Sequence, residues 1–183
     1  MLKKFIESAK SLTNTRTLAL MGMLLAMHAV LGAFKIPVFS NDNRITLTFA
    51  VNAVTGTILG PVPAMLVGGL GDILGYLLNP GGGAYFPGFT ISGMLGGLVY
   101  GLCLYKRETK RFFWWTMLAV FLITLFVNII LNTFWLSVLY KKAYQIFAAS
   151  RIIKNFVVYP LHVAVIFILG VFVNKTGIQK KYK

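Results

Sequence analysis

The chain has 183 residues, 57% of them apolar and 12% charged, with a mean hydropathy of +0.77. Soluble domains are about 45–50% apolar and about 25% charged, so this composition excludes a soluble globular fold and indicates an integral membrane protein. The formal charge of +14 is not the footprint of a nucleic-acid binder: the basic residues form short clusters between apolar runs and at the ends, which is what membrane topology produces, and no nucleic-acid partner is expected.

The opening residues MLKKFIESAK lack a small-residue cleavage site, so no removable signal peptide is expected. Hydropathy then predicts six spans, at about 17–34, 46–60, 62–79, 88–105, 113–139 and 151–174, in one all-α membrane domain covering residues 1–183. A span needs roughly 20 apolar residues, so the second and third are short and must lean on neighbouring helices. With the amino terminus inside, twelve of the eighteen Lys and Arg fall on cytoplasmic segments, which predicts that both termini are cytoplasmic. The other six, Lys35, Arg44, Lys141, Lys142, Arg151 and Lys154, lie at outer span ends, where that rule gives no reason for them.

Span one carries Gly22 and Ala26 four residues apart on a Leu and Met helix, a small, smooth patch suited either to internal packing or to a partner protein. Gly71 and Gly75 on span three, and Gly93, Gly97 and Gly101 on span four, repeat the interval that lets helix backbones approach closely in lipid. Packing within the chain is the expectation for them. Asp72 costs roughly 2.5–3.5 kcal/mol inside a span, so a functional role or an arginine partner is expected. Between spans three and four, NPGGGAYFPGFTISG at 79–93 cannot be continuous helix. Non-helical backbone at membrane depth must pack on protein or line a wet cavity, so this stretch is predicted to wall a pocket.

On span five Asn128, Asn132 and Trp135 share one helical face, and Arg151, Lys154 and Asn155 make a comparable face at the start of span six. Cations, amides, aromatic rings and a carboxylate in the outer half of a bundle describe a pocket for a flat, anionic organic ligand. The lone Cys103 excludes an internal disulfide. His28 and His162 stand in different spans without clustered Cys or carboxylates, so no metal site is expected. The sequence has no G-x-x-x-x-G-K-[ST], so any ATP-derived energy must come from another subunit.

Several stretches in order, R-T-L-A-L-M-G-M-L-L-A (16–26), D-N-R-I-T (42–46), G-D-I-L-G (71–75), F-P-G-F-T-I-S-G (86–93), L-N-T-F-W-L-S (131–137) and R-I-I-K-N (151–155), make the chain resemble the substrate-binding S components of energy-coupling factor vitamin transporters, most closely the folate-specific family. The resemblance implies a six-helix bundle that captures vitamin outside and works with a transmembrane coupling protein (the T component) and two ABC-type ATPases in the bilayer. It implies no cofactor and no chemistry of its own. The segment 35–45 would be a gate and 79–92 a pocket wall, and the loaded subunit would tip in the membrane to deliver its ligand. The implied ligand residues are Arg44, Asp72, Tyr85, Phe86, Pro87, Gly88, Phe89, Thr90, Asn132, Trp135, Arg151, Lys154 and Asn155, with Gly22 and Ala26 standing where the family carries an A-x-x-x-A docking motif. The alternatives left open are another vitamin such as pantothenate or thiamine, a membrane-embedded enzyme using Asp72 and the histidines, and an assembly subunit.

Overall fold

The computed structural model describes residues 2–34, 36–38, 40–80, 85–107, 109–140 and 144–178. In chain order the helices are α1 (Leu2–Lys10), α2 (Thr15–Ala33), α3 (Thr48–Leu59), α4 (Pro61–Leu78), α5 (Pro87–Leu104), α6 (Thr109–Leu122), a π-helical segment (Ile123–Leu131) running into α7 (Asn132–Tyr140), and α8 (Tyr144–Thr176). Among the described residues, five stretches are long and apolar enough to cross a membrane: Thr15–Ala33, Pro61–Leu78, Pro87–Leu104, Arg111–Leu139 and Arg151–Thr176. The predicted span at 46–60 is the 12-residue α3, only about 18 Å of helix. It is apolar and mostly buried among its neighbours, so it need not meet lipid along its length.

Two elements stand outside the predicted spans. Between α2 and α3 lies an antiparallel hairpin, β1 (Ile36–Val38) and β2 (Ser40–Ile45), with Ile36 opposite Ile45 and Pro37 opposite Arg44. At the other end, α1 is fastened beneath the bundle. The buried Ser8 hydroxyl donates to the Leu59 carbonyl and accepts from the Val62 amide, clasping the α3–α4 turn. That turn is made by Gly60 at φ 93°, a conformation that glycine adopts without Cβ strain. Lys4 donates to the Tyr105 carbonyl, and Lys106 pairs with Glu7 at 2.5 Å. Burial pulls the Lys4 pKa down, whereas the Glu7 hydrogen bond raises that of Lys106.

α4 and α5 pack backbone to backbone. A methyl group at Gly97 would run into the Ala64 carbonyl, and one at Gly93 would lie 2.7 Å from the Gly68 oxygen. The expected small-residue packing is therefore internal for this pair. α2 meets α4 in the same way, with Gly32 facing Gly75 and the His28 ring filling the space over Gly71. The apolar core lies on the other side of α5, where Tyr100, Leu104, Phe112, Val120, Val163 and Ile166 are buried together. In α3 the Thr55 and Thr57 hydroxyls donate to carbonyls four residues back, so these two buried hydroxyls are satisfied within the helix.

Candidate functional site

A cavity of about 490 Å³ opens between α2, α3, α4, α5, the π segment, α7 and α8. Its volume falls within the range of about 300–1,000 Å³ usual for small-molecule sites. Five glycines border it: Gly32, Gly71, Gly75 and Gly93 let the surrounding helices close up, and Gly96 leaves open space where a side chain would stand.

One wall is acidic and phenolic. Thr90, in the first turn of α5, donates to the Asp72 carboxylate at 2.8 Å, and its oxygen lies 2.6 Å from the Tyr85 hydroxyl. With the Thr90 proton committed to Asp72, the Tyr85 hydroxyl is the donor in the second bond, giving a chain from Tyr85 to Thr90 to Asp72. The Tyr76 ring stands 5.3 Å from that of Tyr85. The chain presents a carboxylate and a phenol held in place, suited to a ligand edge that carries N–H donors.

The opposite wall is cationic and amidic. Arg151 donates through Nη1 to the Asn128 carbonyl at 3.2 Å, with Lys154 and the buried Asn155 one turn further along α8. The π segment explains why Asn128 and Asn132 both face inwards together with Ile123 and Val127. Nine residues of ordinary α-helix carry a side chain half a turn away. The wider π turns instead keep Ile123, Val127, Asn128 and Asn132, four to five residues apart, on the cavity side. Asn132 Oδ1 on this wall and Asn52 Oδ1 on α3 are buried without a hydrogen-bond partner among the described residues. A buried amide oxygen left that way costs about 1–3 kcal/mol, so each is poised for a donor.

Aromatic rings close the remaining sides. Phe86 lies 5.6 Å from Trp135 and 6.0 Å from Phe89, and the Phe49 ring sits 3.9 Å from that of His162. Phe86 is the residue before α5, with Pro87 at the first helical position, where a missing amide proton costs nothing.

Of the residues expected at the site, Asp72, Tyr85, Phe86, Phe89, Asn132, Arg151, Lys154 and Asn155 line the cavity. Thr90 reaches it through Asp72 and Tyr85. Trp135 stands behind Phe86, its indole N–H buried without a partner among the described residues. Gly88 backs this pair, since a Cβ there would come within 2.5 Å of both the Phe86 and Trp135 rings, and Pro87 caps the helix rather than lining the cavity. The Arg44 side chain lies outside the described residues, as do Lys35, Lys141 and Lys142. Sequence reasoning did not place His28, Phe49, Asn52, Tyr76, Tyr100 or His162 at the site. Asn52 and His28 carried a usable signal, being polar residues within apolar helices; the aromatic ones carried none, because rings are common on any membrane-helix face. Gly22 and Ala26 lie on the outer surface of α2, with open space beyond Gly22.

A family model for the S component of ECF-type riboflavin transporters matches residues 12–176. The folate transporter FolT of Clostridium novyi is 37% identical over 140 residues, covering 75% of this chain and 78% of that one. FolT of Leuconostoc mesenteroides is 33% identical over 162 residues, covering 85% of each. A crystal structure of FolT bound with folic acid superposes with a TM-score of 0.77 at 34% identity, over 86% of this chain and 93% of the other. With a family match running through nearly every helix, and relatives above 30% identity along three quarters or more of its length, the chain belongs to the S-component family of ECF-type transporters.

Proposed function

We propose that this chain is the folate-binding S component of an ECF-type ABC importer, which captures folate outside the cell and delivers it inside with the help of a T component and two ABC-type ATPases. The observation that carries the choice of ligand is the polarity of the cavity: a carboxylate–phenol chain on one wall, Arg151 and Lys154 on the other, aromatic rings between. Folate has matching parts. Its pterin presents a flat face and an amide-like edge for the Asp72 wall, and its glutamate tail carries two carboxylates for the cations. A flavin, the ligand that the family description names, has a neutral ribityl chain unless phosphorylated and gives the two cations less to do. The relatives named for folate support the same choice.

In this reading α3 is the sixth crossing element, short because its neighbours shield it, and both termini face the cytoplasm, as the distribution of Lys and Arg favours. The hairpin of β1 and β2, which leads into Thr46 at the cavity edge, serves as the gate, and Arg44 is counted among the ligand residues. The exposed patch of Gly22 and Ala26 on α2 meets the T component. The whole chain acts as one domain and does no covalent chemistry.

The test is calorimetry on the purified chain with folate and with a pterin that lacks the glutamate. Arg151→Ala is expected to weaken folate by about 2 kcal/mol or more, roughly thirtyfold in Kd, and the truncated pterin by much less. Equal losses for the two ligands overturn the assignment of the tail, and a wild-type chain that prefers riboflavin to folate overturns the assignment of the vitamin.

A further inference from the structure

On the lipid-facing side of α6, remote from the cavity, a groove of about 770 Å³ runs along Arg111, Trp114, Trp115, Leu118 and Phe121. The spacing puts these side chains on one helical face. From Arg111 to Phe121 the helix rises about 15 Å, half of a hydrocarbon core of roughly 30 Å. The groove is therefore as deep as one leaflet. Among the described residues its one lining cation, the exposed Arg111, stands at one end, and Arg107 of the preceding loop lies against the Trp115 ring. Arg107 is fixed in place, its Nε donating to the Cys103 carbonyl at 3.0 Å and its guanidinium stacked 3.4 Å over the Trp115 ring. No described residue bonds its terminal nitrogens. Trp114 is 70% exposed, one turn from Arg111, and an indole beside a cation is the pairing that settles at membrane–water interfaces. Residues 106–111 hold four cations against one carboxylate, and one of those cations, Lys106, is engaged with Glu7.

A cationic end, an indole beside it and an apolar channel one leaflet deep match the three parts of a single amphiphile: phosphate, interface and acyl chain. We propose that this groove binds an anionic phospholipid of the cytoplasmic leaflet, its phosphate gripped by Arg107 and Arg111 and one chain laid along Trp114, Leu118 and Phe121. A neutral lipid satisfies the channel but not the two guanidinium groups, and a protein helix filling it needs carboxylates at a matching height. The choice of leaflet rests on the orientation given above; the preference for an anionic headgroup does not, nor does it depend on which vitamin the cavity holds.

The experiment uses the full chain, delipidated in a neutral detergent and titrated with phosphatidylglycerol or phosphatidylcholine carrying brominated chains, with quenching of tryptophan fluorescence as the readout. Phosphatidylglycerol is expected to reach half-quenching at a concentration roughly 25-fold lower than phosphatidylcholine, about fivefold for each arginine. Arg107→Gln and Arg111→Gln each remove about fivefold of the preference, and Trp114→Phe removes most of the quenched signal. Millimolar inorganic phosphate leaves the quenching in place. Equal half-points for the two lipids in the wild-type chain overturn the proposal without recourse to any variant. So does a monodisperse Arg107→Gln/Arg111→Gln double variant that keeps the preference, loss of quenching on adding phosphate, or a groove occluded by self-association so that neither lipid quenches.

Discussion

Thr90 spends its single proton on the Asp72 carboxylate and thereby turns its oxygen towards the Tyr85 hydroxyl. Replacing it with valine keeps the shape and removes both bonds, so the link from Tyr85 to Asp72 is broken. Thr90→Val is expected to weaken folate roughly tenfold, at about 1–1.5 kcal/mol for a lost hydrogen bond, while the unfolding temperature shifts by no more than a few degrees. Isothermal titration alongside thermal unfolding separates the two, and an unaltered Kd would remove the chain of hydroxyls from the binding machinery. At this scale Asp72, Asn132 and Arg151 were legible in the sequence, because a polar side chain in an apolar helix is costly without a purpose. Thr90 was legible only as part of a loop. Its role depends on α5 beginning at Pro87, which turns its side chain towards α4. Trp135 shows the opposite case, reading as a cavity wall by its spacing from Asn132 and instead supporting Phe86 from behind.

Among the elements, the seam between α4 and α5 was legible from glycine spacing alone, since backbone contact at four-residue intervals needs nothing larger than hydrogen at each crossing. Gly97→Ala drives a methyl group into the Ala64 carbonyl, which is main chain and has no rotamer to yield. A loss of about 1–3 kcal/mol or more is expected, visible as a lower unfolding temperature in detergent, and a variant as stable as the wild type would show that the helices are free to part there. The π segment was not legible. Its residues, ITLFVNIIL, have the hydropathy of any span, and the wide turns arise from packing that no local preference announces. Deleting Ile130, which faces outwards, returns the segment to α spacing and carries Asn128 away from Arg151. Such a deletion is expected to leave helical content unchanged by circular dichroism and to reduce folate affinity roughly tenfold or more, the worth of a hydrogen bond to a charged group. Retained affinity would make the segment a packing accident. The hairpin of β1 and β2 was also missed as a strand pair, because a Pro and a D-N-R run read as loop.

The whole molecule divides into a hollow half and a solid half. The cavity lies at the level of Thr46, Asp72, Phe86 and Arg151, and Tyr100 stands at its base. Beyond it come the packed core and the α1 clasp on the Leu59–Val62 and Tyr105–Lys106 turns. One flank stays smooth, where Leu18, Gly22, Met23, Ala26 and Met27 are exposed along α2. Gly22→Leu or Ala26→Leu places a bulky branched side chain in the middle of that flank without touching the cavity. Each is expected to abolish co-purification with the T component and ATP-dependent uptake while leaving the Kd for folate within twofold of the wild type. Intact complexes would move the docking surface elsewhere. This division between a binding half and an anchoring half was readable only as far as the charge count allowed: hydropathy gave six crossings with the second and third short, and of these two only the second is too short to span, as the 12-residue α3.

The glycine seam between α4 and α5 runs up to the cavity, which Gly93 also borders. An ordinary gate works by swinging a side chain or sliding a helix on a cushion of side chains, and between α4 and α5 there is no cushion: carbonyl meets Cα directly. Opening along that line means parting two main chains whose close approach only glycine permits, and losing that packing outright. Two helices locked in this way move as one block, so Asp72 on α4 and Phe89 on α5 keep their spacing whatever the rest of the bundle does.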